Sequence, residues 1–331
     1  MITKSEGRIL YVDHTDTETL RKKYIGHSDV DLEQLVEVDA IWGENTLQEA
    51  VGSDIKADYI IASHVIEHVP DLITWLQELR SVLRDAGYVR LVIPDRRYSF
   101  DYLRKETIFA AVMRAYLVRA RVPQPQEVID HVTNVVALDC GQAWSGPIDP
   151  AALRHLHTFE QAMGVAKDVI ENGTYHDVHC WVFTPHSFAL LMSQIAECGL
   201  IDFTCDEFYD TELNQLEFIV SMQPSSDRQS IVQSWYRMAD AARTHSPEIE
   251  SLRRDICRLQ AALQQHEAQF SQEAKNSARL EAELAAALRS LDDERNLRLQ
   301  MERSRSWRFT RPLRDMAASL RGGQARQHVR T

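Results

Sequence analysis

The stretch Asp58-Tyr-Ile-Ile-Ala-Ser-His-Val-Ile-Glu-His-Val-Pro-Asp71 decides how the chain folds. Tyr59–Ala62 is a short apolar run that ends in the polar Ser63 and His64, the pattern of a buried strand with its carboxyl end at a site. Asp71 is placed to cap a helix through Arg84, in which Leu72, Trp75, Leu76, Leu79, Val82 and Leu83 recur at helical spacing. Gly87 reads as the stop of that helix. A strand follows at Tyr88–Ile93, and Pro94 ends it. Strand, helix and strand in this order make one βαβ unit between residues 58 and 94.

Working outward, residues 8–12 read as a strand ending at Asp13, Thr17 to Tyr24 as a helix, and Leu35–Val38 as a strand ending at Asp39. Short apolar runs with polar carboxyl ends are the mark of a doubly wound α/β sheet of the Rossmann type. Residues 96–172 are helical in pattern and read as an insert, broken at Pro123 and Pro125 and loop-like from Gly141 to Pro150. Val178–Phe183 reads as a strand and Pro185–Cys198 as a helix closed by Gly199. Leu200–Phe208 and Leu216–Met222 read as an antiparallel strand pair.

His64-x-x-Glu67-His68 after a strand, then a helix, the turn Ser81–Gly87 and the strand Tyr88–Asp95, resembles the fourth-strand region of class I S-adenosylmethionine-dependent methyltransferases. The resemblance covers roughly residues 8–222. It makes residues 9–13 and 36–39 similar to the second and third strands of that superfamily. It then implies that Asp13 binds the cofactor ribose, that Asp39 lies near the adenine, and that His64, Glu67 and His68 lie at the methionine end. A carboxylate at a strand end suits a ribose diol because it accepts two hydroxyl donors; the plainer alternative is a cap or turn residue. More narrowly, Tyr11–His14, His64–Asp71 and Phe183–Phe188 are similar to segments of bacterial methyltransferase-domain proteins associated with surface-polysaccharide synthesis. That resemblance implies S-adenosylmethionine as cofactor and a saccharide as acceptor.

The pattern departs from the superfamily in one place. No glycine-rich turn or strand precedes Arg8, although the superfamily's first strand lies centrally, between the second and the fourth. Without it, two central edges are unpaired or pair with each other. An N-terminally truncated reading, a degenerate domain and a rearranged sheet are all open. A methyltransferase-like scaffold that assembles partners is the non-catalytic alternative. A dinucleotide oxidoreductase is weaker, since its glycine fingerprint is equally absent.

For a hydroxyl acceptor a general base is expected. The densest cluster is His176-Asp177-Val178-His179, and in an extended segment Asp177 and His179 share a face. His176, Asp177 and His179 are therefore the candidate catalytic residues. A metal site there is the rival reading, with no third or fourth ligand evident, so no metal is expected. His155 and His157 read as surface or cap residues of the insert.

From Ile249 the apolar period changes. Ile249, Leu252, Ile256, Leu259, Leu263, Phe270, Leu280, Leu284, Leu291 and Met301 fall on alternating steps of three and four, a heptad seam that weakens around Glu273 and Ser277. The expected organisation is a methyltransferase-like domain at 1–224, a helical linker at 225–247, a coiled coil at 248–302 and a basic amphipathic tail at 303–331. Fifty-odd residues of helix extend roughly 80 Å, and the coiled coil implies a homo-oligomer. Pro312 is the one helix-breaking residue between Glu248 and Arg321, so an unbroken helix is expected. The tail sets eight arginines against one aspartate, although the chain carries a net charge of −12. Its Trp307, Phe309, Leu313, Met316 and Leu320 suit an anionic membrane surface; a plain basic tail is the alternative. The acidic body excludes a nucleic-acid footprint. No run approaches the roughly twenty apolar residues of a membrane span, and Met1–Gly7 lacks the apolar core of a secretory signal. Five cysteines without CxxC spacing suit reduced thiols. A cytoplasmic protein, peripheral to the inner face of the membrane, is the expectation.

Overall fold

The computed structural model describes residues 4, 7–26, 31–43, 45–146, 148–243 and 247–325. Most of Met1–Gly7, and Arg326 and Arg330 of the basic end, lie outside the described residues, as do the side chains of Ile249, Leu252 and Leu320. The chain divides into two compact units, Met1–Arg258 and Leu259–Thr331.

The first unit opens with β1 (Val12–Asp13), α1 (Thr17–Lys23), β2 (Ala40–Ile41) and α2 (Leu47–Val51). It continues through β3 (Ala57–Ser63), α3 (Leu72–Val82) and β4 (Leu83–Pro94). The helices α4 (Phe109–Val118), α5 (Pro125–Asn134), α6 (Cys140–Ser145) and α7 (Phe159–Asn172) form the insert. Then come α8 (Pro185–Glu197), β5 (Phe203–Tyr209), β6 (Glu217–Pro224) and α9 (Arg228–Arg243).

The strands form two sheets. β1 and β2 pair in parallel over two residues each, Val12 with Ala40 and Asp13 with Ile41. The other sheet runs β3-β4-β6-β5, with β3 parallel to β4 and the remaining pairs antiparallel. Among the described residues β1 does not pair with β3, so their edges stay open. Leu10, Val12, Tyr59 and Ile61 are exposed there. The first two strands are shorter than expected and displaced toward the carboxyl side. Pairing stops after two residues, flanked by Asp39 N–H and Ala40 N–H donating to Tyr11 O and by Trp42 N–H donating to Asp13 O.

The βαβ unit forms, with its helix shorter and its second strand longer than expected. Asp71 caps α3 by accepting from Thr74 N at 3.0 Å, but the helix ends at Val82 rather than Arg84. Leu83 is already extended, and Leu83–Gly87 open β4 as an irregularity against β3, which pairs Ala57 with Leu83 and then Tyr59 with Tyr88. Gly87 is thus a strand residue rather than a helix stop. A Cβ there would lie 2.9 Å from the Asp58 carbonyl oxygen, so glycine permits the close approach of the two backbones.

Leu72, Ile73 and Leu76 of α3, Val89, Leu91 and Ile93 of β4, Phe188 and Met192 of α8 and Trp235 of α9 are buried in one core. The insert has its own, where Val128 and Val132 of α5 meet Ala162, Ala166 and Val169 of α7. Thr184 closes a capping box with Ser187, and Pro185 takes the first turn of α8.

The expected strand at Val178–Phe183 does not form. The segment is extended but irregular, carrying only an isolated bridge between Phe183 and Asp95. Its backbone is fastened instead to the turn after β3: Cys180 N–H and Trp181 N–H both donate to Glu67 O, at 2.6 and 3.1 Å.

Around the boundary of the second unit, α10 (Pro247–Arg303) is one helix of 57 residues, about 85 Å long at about 1.5 Å per residue. Along it Leu259, Leu263, Phe270, Leu280, Leu284 and Leu291 are exposed. The helix does not run unbroken into the tail. Ser304 leaves the helix and accepts from Trp307 N at 3.2 Å, starting α11 (Arg305–Phe309) and then α12 (Arg311–Ala325). The Arg314 guanidinium lies 3.7 Å from the centre of the Trp307 ring. Among the described residues no helix is long and apolar enough to cross a membrane.

Candidate active site

β3 ends abruptly. His64 takes a positive φ of 52°, a left-handed conformation uncommon outside glycine, though histidine, like Asn and Asp, adopts it more often than other side chains. It is held by its N–H to Val92 O on β4 at 3.0 Å. The chain leaves the sheet in a tight turn, with His68 N–H donating to Val65 O and Ile66 buried beneath as anchor. One short turn therefore carries His64, Glu67 and His68.

The segment 175–183 crosses this turn. Besides the two bonds to Glu67 O, the Trp181 indole N–H donates to Val69 O at 2.7 Å, and the ring is buried. That anchoring places Asp177 and His179 against Glu67 and His68. Asp177 Oδ1 lies 2.8 Å from His68 Nδ1, close enough for an ion pair though not aligned as a hydrogen bond. Its other oxygen accepts from Lys23 Nζ at 2.6 Å. The His68 and His179 rings meet edge to face, 4.7 Å between centres.

Behind His179 lies a buried polar hub. His179 Nδ1 is 2.5 Å from Asp101 Oδ2. Arg104 donates to Asp101 Oδ1 at 2.9 Å, to Asp130 Oδ2 at 2.9 Å and to His179 O at 2.8 Å. His131 Nδ1 accepts from His179 N at 3.3 Å.

Burial and charge set the proton affinities. Glu67 is wholly buried, and neither carboxylate oxygen has a hydrogen-bond partner. Desolvation pushes its pKa up to about 7 against the pull of His68. His68 is raised as well: burial lowers it, but the hydrogen-bonding reach and charge of Asp177, with the charge of Glu67, outweigh that. Asp177 is held far below the usual carboxylate range, first by His68 and then by Lys23. Asp101 is down at about 2, because His179 and Arg104 overcome its burial. Burial, then the Arg104 and His179 charges, drives His131 down to about 3, so it is neutral.

In front of the cluster opens a cleft of about 2510 Å³, lined by Asp13, His14, His64, His68, Tyr175 and Asp177 among others. Ligand pockets typically hold roughly 300–1,000 Å³. The excess is the trough between residues 8–13 and 56–63, where the edges of β1 and β3 face the same space.

The expected site residues divide accordingly. Asp13, His64, His68 and Asp177 face the cleft, and Glu67 and His179 stand behind them. Asp13 ends β1 with its carboxylate on His14, Nδ1 at 2.6 Å. Asp39 is apart: its carboxylate takes Lys4 Nζ and Tyr11 N–H, and it does not line the cleft. His176 is apart too, with Nε2 2.7 Å from Asp168 at the end of α7. Asp101, Arg104 and His131 escaped the sequence reading. Their partners lie 26 to 78 residues away along the chain, and the one local signal, an acid and a base at i,i+3, is common on any surface turn.

A parallel strand pair with a cleft at its carboxyl ends, floored by carboxylates and imidazoles, is the arrangement of a Rossmann-like α/β domain. Residues 15–195 match the family described as a methyltransferase domain, and the chain belongs to that family. No curated protein matches the chain. The family typically uses S-adenosylmethionine. That molecule carries no phosphate and so demands no phosphate-binding loop; it asks for acceptors for a ribose diol and an amino group. The partly exposed carboxylate of Asp13 at the end of β1 fits the first need, and the polar turn at His64 fits the second.

Proposed function

We infer that the protein transfers the methyl group of S-adenosylmethionine to a hydroxyl of a sugar in a cell-surface polysaccharide. The observation that carries this reading is His64: in a methyltransferase-family chain, it ends β3 on the cleft with both ring nitrogens outside any hydrogen bond. Glu67 Oε1 lies 3.5 Å from Nδ1, and Glu217 Oε2 lies 3.5 Å from Nε2. Bound cofactor supplies an electrophilic methyl group; the chain's part is to hold donor and acceptor in line and to receive the hydroxyl proton. Asp13 would hold the ribose, and His64 would take the proton. Asp177 faces the same cleft and fixes His68 beside it. The sugar acceptor rests on the likeness of Tyr11–His14, His64–Asp71 and Phe183–Phe188 to polysaccharide-associated proteins. The long helix would pair with a second copy through its exposed leucine seam, and the arginine-rich tail would hold the assembly at an anionic membrane surface.

The test is transfer of labelled methyl from S-adenosylmethionine to surface-glycan fragments by wild type and His64→Ala. Loss of general-base help lowers kcat by about 10²–10⁴-fold, with KM for the cofactor little changed. Unaltered kcat in His64→Ala would overturn the base assignment. The open trough between β1 and β3 favours one other reading, a non-catalytic methyltransferase-like scaffold. Absence of transfer to every glycan by a folded sample that also fails to bind the cofactor would support it.

A further inference from the structure

We propose that Glu67, His68 and His179 form a binding site for one divalent transition-metal ion of the zinc or cobalt kind. One ligand atom from each residue lies within 4.8 Å of those of the other two. Ligand atoms around a four-coordinate ion at about 2.0–2.2 Å stand about 3.4 Å apart. Closing the set therefore takes roughly 1 Å of side-chain adjustment.

Two independent features point to a cation. The first is Glu67, fully buried with both oxygens unpartnered. A buried carboxylate without a partner is strongly disfavoured, and a bound cation compensates it. Proton sharing with the neighbouring imidazoles does not account for it: Oε1 is 3.5 Å from His64 Nδ1 and 3.9 Å from His68 Nε2, beyond a sound hydrogen bond.

The second feature is the orientation of the two imidazoles. Asp101 holds Nδ1 of His179 at 2.5 Å, and Asp177 lies 2.8 Å from Nδ1 of His68. In both rings a carboxylate faces Nδ1, as a hydrogen bond in His179 and as an ion-pair contact in His68, and Nε2 is left as the ligating atom. Carboxylate–histidine–metal triads are built this way, with the outer carboxylate fixing the tautomer and raising ligand basicity. The backbone is fastened as well, since Cys180 and Trp181 donate to the carbonyl of Glu67 itself. Two nitrogens and one carboxylate select zinc, cobalt or iron over magnesium or calcium, which prefer oxygen ligands. Three protein ligands leave a fourth position, the arrangement of catalytic rather than structural zinc sites. This inference needs none of the methyl-transfer assignments.

The experiment uses the untagged full chain after dialysis against a chelator, titrated with Co²⁺ and followed by visible d–d absorption. Excess Zn²⁺ is then added, and thermal midpoints are recorded with and without Zn²⁺. Wild type is expected to bind one Co²⁺ per chain, to lose the absorption on adding Zn²⁺ and to melt higher with Zn²⁺. Glu67→Gln, nearly isosteric, and His68→Gln, at a partly buried position, should each lose the signal. Asp177→Asn, which removes only an outer carboxylate, should weaken binding about 10–100-fold. His176→Ala, outside the cluster, should bind as wild type does. A wild-type protein that gives neither Co²⁺ absorption nor a Zn²⁺ upshift overturns the proposal, whatever the folding of the variants. So does equal binding by folded Glu67→Gln and His68→Gln.

Discussion

Replacing Arg104 by Met should unfold the first unit far more readily than loss of one surface charge would. Arg104 is 1% exposed. Its guanidinium bonds Asp101 at 2.9 Å, Asp130 at 2.9 Å and the His179 carbonyl at 2.8 Å. Asp130 is partly exposed and can turn to water, and the lost bond to the His179 carbonyl is worth about 1 kcal/mol. The dominant effect is on Asp101, which is 2% exposed and would keep only His179. Breaking a buried ion pair by removing one partner costs about 3–5 kcal/mol. Removing both charges costs less than the two separate losses, so Asp101→Asn in the Arg104→Met background should recover part of the deficit. Coupling energies between residues in contact are about 0.5–3 kcal/mol. Arg104→Lys should recover little, because a single ammonium cannot span three partners. The assay is urea unfolding followed by tryptophan fluorescence, with Trp181 and Trp144 both buried in this unit. An Arg104→Met protein within about 1 kcal/mol of wild type would refute the reasoning, because a buried Asp101 stripped of its guanidinium partner cannot be that cheap.

Further outcomes are expected elsewhere. Gly87→Ala puts a Cβ 2.9 Å from Asp58 O and 2.8 Å from Leu83 Cδ1; it should destabilise by about 1–3 kcal/mol, read as a lower thermal midpoint, and an unchanged midpoint would count against the observed β3–β4 pairing. Replacing Leu280 and Leu284 together by Glu should reduce the mass seen by sedimentation equilibrium if the exposed seam of α10 pairs two chains; the same mass before and after would remove the seam from the interface. Deleting residues 303–331 should abolish co-sedimentation with anionic vesicles at low salt, and equal binding by both forms would end the membrane reading of the tail.

The sequence made the central βαβ unit legible because its signals are local: an apolar run, a capping Asp71, helical spacing and a closing Pro94. Helix α8 was equally plain, with Thr184, Pro185 and the apolar spacing agreeing. Gly87 misled, since glycine serves both a helix stop and a tight strand approach, and only the position of Asp58 separates the two uses. Val178–Phe183 misled for a related reason. Apolar extended sequence looks the same whether its N–H groups meet a neighbouring strand or, as here, the carbonyl of Glu67. In the site, the resemblance brought out Glu67, His68 and His64 as one group and the spacing brought out Asp177 and His179 as another. That the two groups touch depends on Trp181 docking on Val69, a contact across more than a hundred residues. Asp39 and His176 were named for residue type and position, but their side chains go to Lys4 and Asp168.

The most direct measurement is calorimetric titration of the folded chain with S-adenosylmethionine, with Asp13→Ala alongside. The account expects micromolar binding by wild type and about 10-fold weaker binding by Asp13→Ala, the equivalent of about 1.4 kcal/mol. No heat of binding from a wild-type sample with cooperative unfolding would contradict it, as would Asp13→Ala binding as tightly as wild type.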